Sequence, residues 1–252
     1  SNHFGPVNIV IDKELPATWK NGATVFVEQE KDAFLFQDET DSYELTIKSI
    51  WEAPLRPPAK ISPDEQLSRM RKSAQQLLIL KNGAGLSSLL LPYIEKRGVI
   101  TLDSEWLSTI WQFIKDFQVA IKTRNLSQIL NRATQFIGSG RGLTPSGDDL
   151  LAGFVLMHQR WFNGADWFTP LYQELVDEFN QKTTAVSSTL FYCATLGEAD
   201  NRIIKMADAL MNLEYSSQNL ALELARWGNS SGADIFLGLI MAINCFQEET
   251  RE

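Results

Sequence analysis

Hydrophobic and polar positions follow two different rhythms along this chain, and the change falls near residue 55. Before it, Tyr43, Leu45, Ile47 and Trp51 share one parity, with Glu44, Thr46 and Lys48 between them. A period of two marks a strand with one face buried. Val7 to Ile11, Thr24 to Val27 and Phe34 to Phe36 read as further short strands, with Glu30-Lys31-Asp32 as a hairpin connection. Residues 5–53 are therefore expected to form a small antiparallel sheet or partial barrel.

Four of the nine prolines fall between Pro54 and Pro63, which marks a linker. A helix start follows: Ser62 as N-cap, Pro63 as first helical residue, Glu65 as capping-box partner. Beyond it the spacing is three or four. Leu67, Met70, Ala74, Leu77 and Leu78 give one apolar face, and Trp106, Ile110, Phe113, Ile114 and Phe117 give another. Nine or ten helices are expected, with breaks near Gly83, Gly98, Gly138–Gly142, Gly164, Gly197 and Gly228. The predicted fold class is α+β: a small N-terminal antiparallel β domain over residues 1–56, then a larger all-α domain over 57–252.

Chemistry concentrates in Gly138-Ser-Gly-Arg-Gly-Leu-Thr-Pro-Ser-Gly-Asp-Asp-Leu-Leu-Ala-Gly153. Glycines at alternate positions can turn several N–H groups toward one point, a concave nest for an anion. The free N–H groups of a following helix start would add to the attraction, and Arg141 would supply a full charge. No Gly-Lys-Ser/Thr follows, so this is not a Walker loop. A helix rather than a strand precedes it (Leu126, Ile129, Leu130, Ala133, Phe136, Ile137), which argues against a dinucleotide fingerprint.

The stretch has an echo. Ser146-Gly-Asp-Asp-Leu-Leu-Ala-Gly153 and Ser231-Gly-Ala-Asp-Ile-Phe-Leu-Gly238 both read Ser-Gly-x-Asp-x-x-x-Gly. One reading is purely structural: Ser146 and Ser231 are N-caps, Asp149 and Asp234 their capping-box partners, and Gly153 and Gly238 let two helices cross closely. The other adds that the two helix starts converge. Asp148, Asp149 and Asp234 would then surround one pocket, where carboxylates can orient an amide, move a proton or hold Mg²⁺. Thr183 and Ser187, four apart, could turn hydroxyls to the same pocket, or Thr183 could be a helix N-cap. His158, inside an apolar run, reads as a packed histidine.

Bulk properties narrow the classes. The net charge of −8 and pI of about 4.9 argue against a nucleic-acid partner. With two histidines, His3 and His158, a histidine metal cluster and a Ser-His-Asp triad are disfavoured. Cys193 and Cys245 read as buried free thiols. The sequence shows no apolar run long enough to cross a membrane and no signal peptide, so a cytoplasmic protein is expected.

Three blocks in order, Gly138 to Gly153, Thr183-Thr184-Ala-Val-Ser187 and Gly228 to Gly238, resemble the family described as domain of unknown function 2877. Members usually begin further upstream, which implies that this chain lacks first strands. The family includes a subunit of oxamate carbamoyltransferase, from anaerobic allantoin breakdown, which works with companion subunits. It interconverts oxalurate plus phosphate with oxamate plus carbamoyl phosphate. The resemblance implies a small anionic metabolite as ligand and companion enzyme subunits as partners; a homo-oligomer stays open. This chain departs from the pattern at Asn229, where many members have His, at Arg141, where Pro is common, and at Ser230 and Ile235-Phe236.

The expected anion-binding set is Gly138, Gly140, Arg141, Gly142, Thr144, Ser146, Gly147, Thr183, Thr184, Ser187, Asn229, Ser230, Ser231 and Gly232. Asp148, Asp149 and Asp234 are the catalytic candidates and the candidate Mg²⁺ ligands. Acyl transfer needs charge stabilisation more than a protein nucleophile, in keeping with the scarcity of His and Cys. Two rivals remain: a non-catalytic binding or scaffold subunit, and a Mg²⁺-dependent hydrolase of a phosphorylated metabolite.

Overall fold

The computed structural model describes residues 5–6, 14–19, 24–31, 33–46, 51–95, 102, 104–162 and 167–247. The chain divides into two compact units, residues 1–52 and 53–252.

In the first unit, β1 (Phe26–Glu30), β2 (Ala33–Gln37) and β3 (Ser42–Thr46) form an antiparallel sheet in sequence order. Phe34 pairs with Leu45, and Phe36 with Tyr43. The period-two expectation holds on β3, where Tyr43 and Leu45 are half-buried and Ser42, Glu44 and Thr46 exposed. The β2–β3 turn is tied by Asp38, whose Oδ1 accepts the Thr40 and Asp41 N–H groups while its Oδ2 accepts Trp19 Nε1 at 2.7 Å. The first predicted strand with an observed counterpart starts at Phe26 rather than Thr24. Val7–Ile11, Asp32 and Ile47 lie outside the described residues, as do the breaks at Gly98 and Gly164.

The second unit is helical among its described residues. Its α-helices are α1 (Pro63–Lys81), α2 (Leu91–Ile94), α3 (Glu105–Lys122), α4 (Leu126–Ala133) and α5 (Ser146–Met157). After a π-helical turn over His158–Phe162 come α6 (Leu171–Lys182), α7 (Ala185–Thr195), α8 (Asn201–Ala209), α9 (Ser217–Ala225) and α10 (Ser231–Phe246). Among the described residues no helix is long and apolar enough to cross a membrane.

Helix α1 starts as its sequence says, with Ser62 Oγ accepting the Glu65 N–H at 3.3 Å. Met70, Ala74 and Leu77 of its predicted face are buried, but the edge of that face is shifted. Gln66, Met70, Ser73, Ala74 and Leu77 are buried, and Leu67 is 40% exposed. The reason is what α1 packs on: Ser73 Oγ donates to Ser217 O at the start of α9. A serine gives that buried carbonyl a second hydrogen bond, which a leucine could not.

Helices α5 and α10 form the centre and are buried on nearly all sides. They cross at two glycines. A Cβ on Gly153 would lie 2.2 Å from Ile235 O, and one on Gly238 would lie 2.0 Å from Leu150 O. No other residue fits either position. Around the crossing Phe154 meets Phe117, Phe168 and Phe246 at centroid distances of 5.1, 5.7 and 5.7 Å. Each such burial stabilises by roughly 1.5–3 kcal/mol. His158 is fully buried between Phe168 and Phe246, and its Nδ1 lies 2.7 Å from the Tyr172 hydroxyl, so it is a packed histidine. Cys193 and Cys245 are buried, and neither is in a disulfide.

Candidate functional site

The glycine loop reaches α5 through three left-handed glycines: Gly138 (φ 74°), Gly140 (φ 126°) and Gly142 (φ 100°). At Gly140 the demand is steric as well, since a Cβ there would stand 2.6 Å from Ser146 N. The loop consumes much of its own donor capacity. Gly138 N–H goes to Asp148 Oδ1 at 2.7 Å, Gly147 N–H to Ser139 O at 2.8 Å, and the Asp148 and Asp149 N–H groups to Pro145 O. The expectation of free N–H groups at the α5 start is therefore narrowed: loop carbonyls take those of Gly147, Asp148 and Asp149. The exposed tip, Gly140, Arg141, Gly142 and Leu143, is what faces solvent.

The capping expectation is corrected too. Ser146 and Ser231 are the first helical residues, flanked by Pro145 and Ser230, and neither helix has a side-chain cap. Backbone carbonyls replace one: at α10 the Gly232 N–H goes to Trp227 O, and the Ala233 and Asp234 N–H groups go to Ser230 O. The serines and aspartates are thereby free for other partners, and they find them across the helix pair. The Ser146 hydroxyl of α5 stabilises the charged form of Asp234 on α10, and the Ser231 hydroxyl of α10 does the same for Asp149 on α5. Thr144 Oγ1 lies 3.1 Å from Ser231 Oγ. The glycines obey the same exchange, Gly153 against Ile235 and Gly238 against Leu150. The two Ser-Gly-x-Asp copies are thus related by a local pseudo-twofold arrangement, and their starts converge.

The three aspartates are almost inaccessible, at 2% (Asp148), 3% (Asp149) and 0% (Asp234) exposure. Asp148 is engaged away from the other two. It accepts the Gly138 N–H and the Thr183 hydroxyl, so it ties the glycine loop to the α6–α7 junction. Burial raises its carboxyl above the usual range, opposed by Thr183, Gly138 and Ser187. Burial pushes the Asp149 carboxyl up to about 8, and the charge of Asp234 adds to this against the pull of the Ser231 and Thr144 hydroxyls. Burial lifts Asp234 to about 6, opposed first by the Leu86 N–H, which donates to Oδ1 at 2.7 Å. One oxygen of each carboxylate, Asp149 Oδ2 and Asp234 Oδ2, is buried without a hydrogen-bond partner. Among the described residues no three His, Cys, Asp or Glu side chains are placed to share one metal ion. The three-aspartate Mg²⁺ set is therefore corrected, because Asp148 is committed elsewhere.

In the threonine–serine block the Thr183 hydroxyl goes to Asp148 and not to the Asp149–Asp234 pair. Thr184, not Thr183, is the N-cap of α7, accepting the Ser187 N–H at 3.1 Å. The Thr184 and Ser187 hydroxyls also donate to Leu143 O at 2.5 and 3.4 Å, which fixes the loop tip. Gly232 serves close packing, since its Cβ would stand 1.9 Å from Leu224 O, as Gly147 does against Phe136 O at 2.1 Å. Asn229 lies exposed in the turn before α10.

Two parts of the site escaped sequence reasoning. One is the loop after α1, where Asn82 (φ 43°), Gly83 and Gly85 (φ 56°) turn the chain so that Leu86 N–H reaches Asp234. Gly85 packs so close that a Cβ would lie 2.6 Å from both Asp234 Oδ2 and Ser230 Oγ. The Gly-x-Gly spacing was its visible signal. The other is a narrow cavity of about 20 Å³, room for one water. Asp149 lines it with Ala152, Leu156, Leu190, Ala194 and Trp227.

No curated protein and no solved structure matches the chain. Residues 136–243, which contain all three motif blocks and both converging helix starts, match the family described as oxamate carbamoyltransferase subunit AllH, in agreement with the resemblance read from the motifs.

Proposed function

We propose that this chain is a subunit of an oxamate carbamoyltransferase-like enzyme and binds phosphate, carbamoyl phosphate or an oxalurate-like anion at the loop tip. The N–H groups of Gly140 and Gly142 and the Arg141 guanidinium hold the anion oxygens. The acidic pair Asp149 and Asp234 lies behind and governs the carbamoyl end, taking its amide N–H groups or a cation. The observation that supports this most directly is the Thr144–Ser231 contact. It joins the exposed loop, two residues past Gly142, to the second Ser-Gly-x-Asp start. In such a reaction a phosphate oxygen bonds to the carbamoyl carbon of oxalurate, the bond from that carbon to the oxamate nitrogen breaks, and the proton lost by the phosphate ends on that nitrogen. The nucleophile and the leaving group belong to the substrates, so the protein's part is orientation and charge stabilisation.

A non-catalytic subunit is the second reading, favoured by one observation: carbonyls already take the N–H groups of the second to fourth residues of both helices. Thermal-shift titrations with phosphate, carbamoyl phosphate, oxamate and oxalurate separate the two. A ligand at about 100 times its Kd stabilises by about 2.7 kcal/mol. The anion reading expects such a shift for at least one ligand, much reduced in Arg141→Ala. A shift that ignores Arg141→Ala, or none at all, supports the scaffold subunit instead.

A further inference from the structure

The Asp149–Asp234 centre lacks a counter-charge. Both side chains are at most 3% exposed, each keeps one unpartnered oxygen, and no ion pair involving either exists among the described residues. The nearest cation that acts on the centre is Lys81, whose Nζ is engaged with Gly228 O at 3.0 Å and which influences Asp234 only through space. The side-chain groups that stabilise the pair are hydroxyls, those of Thr144 and Ser231 beside Asp149 and of Ser146 and Ser230 beside Asp234, with the Leu86 N–H on Asp234 Oδ1. These hydroxyls have one proton each, and Thr144 and Ser231 share one between themselves at 3.1 Å. Ionising both buried carboxyls without a partner is expensive, and an anion held at the loop tip would make it more so.

We infer that Asp149 and Asp234, with the surrounding hydroxyls, bind a hard cation. An oxygen-only donor set of two carboxylates and neutral hydroxyls is what K⁺, NH₄⁺, Mg²⁺ and Ca²⁺ take, and soft metals do not. Asp148 is outside the set because its two oxygens serve Gly138 and Thr183. The inference deepens the proposed function, since a cation here supplies the charge that lets an anion sit beside two acids. It is testable apart from that function, because the cation is offered alone.

The experiment is isothermal titration, paired with thermal shift, of the full chain stripped by chelator and dialysed into a tetramethylammonium buffer. Mg²⁺, Ca²⁺, K⁺ and NH₄⁺ are added separately without any anionic substrate. One of them should bind at one site per chain and raise Tm. Binding should fall at least tenfold in Asp149→Asn and in Asp234→Asn, and stay unchanged in Arg141→Ala. These asparagine variants relieve buried charge, so they should fold. If one does not, Thr144→Val and Ser231→Ala carry the test, each weakening the same cation. No binding of any of the four, or binding that survives the asparagine and hydroxyl variants alike, overturns the inference. A separate phosphate titration distinguishes the two levels: cation binding without phosphate binding sinks only the anion reading.

Discussion

Substituting Gly238 by alanine tests the helix crossing on which the whole site depends. The added Cβ would stand 2.0 Å from Leu150 O and 2.7 Å from Phe154 N, whereas ordinary contact begins at 3.4 Å. Helix α5 would have to withdraw by 3.4 − 2.0 = 1.4 Å, and both atoms met are backbone, so no side chain can swing aside. Forcing a methyl into a packed core costs about 1–3 kcal/mol, with this site at the upper end. Alanine gains about 1 kcal/mol over glycine in a helix interior. The net is a loss of about 2 kcal/mol, which for a chain of this size lowers Tm by roughly 4–8 °C. Calorimetry and urea unfolding of wild type, Gly238→Ala and Gly153→Ala measure it. Since both glycines relieve one shared contact, the double variant should lose less than the sum of the singles. A Gly238→Ala protein as stable as wild type would refute the crossing, and with it the convergence of the two helix starts.

Three further outcomes follow from the same geometry. In cation-free protein, Asp149 holds its proton from its ordinary value of 3.8 up to about 8. The folded state binds more protons than the unfolded across that window, so stability should fall as pH rises from about 4 to about 8, by at most roughly 5 kcal/mol. Asp149→Asn should flatten most of that slope in pH-dependent urea unfolding, and an unchanged slope would reject the assignment. Arg160→Ala should cost about 3–5 kcal/mol by denaturation, because it leaves Asp208 buried without the guanidinium that meets it at 2.7 and 2.9 Å. Gly85→Ala places a Cβ 2.4 Å from that of Ser230 at a left-handed φ, so it should destabilise by about 1–3 kcal/mol and weaken cation binding; neutrality would show that the loop is not clamped on Asp234.

What could be read from the sequence was local. The cap Ser62-Pro63 and the β3 alternation depend on neighbours within a few residues, and both were legible. The face of α1 was legible at Met70, Ala74 and Leu77 but not at its edge, where Ser73 is buried against Ser217 O on another helix and Leu67 is exposed. The capping box failed for a related reason. Ser-x-x-Asp is written identically whether the serine caps its own helix or bonds across to another, and the carbonyls of Ser139, Pro145, Trp227 and Ser230 decided it. Leu86 was invisible altogether, since the group that holds Asp234 is a backbone N–H. The Arg160–Asp208 pair joins residues 48 apart and carries no spacing that names it.

The repeated motif makes sense only when its glycine and its aspartate are considered together. A glycine four residues after each aspartate lies on the aspartate's face, one turn along. When Gly153 meets Ile235 and Gly238 meets Leu150, the helices come as close as backbones allow, and the turn before each glycine is carried to its partner's start. That turn holds Asp149 in one helix and Asp234 in the other. Close crossing therefore forces two carboxylates together in a buried place, an arrangement that costs stability by itself. A fold needing only the crossing could place asparagine at either position and lose nothing in packing. Here both carboxylates are retained, ringed by four hydroxyls and reached from an exposed glycine loop bearing Arg141. The pair of ionisable carboxyls is the part of the motif that packing does not require, and it is where a ligand would repay the cost of ionising them.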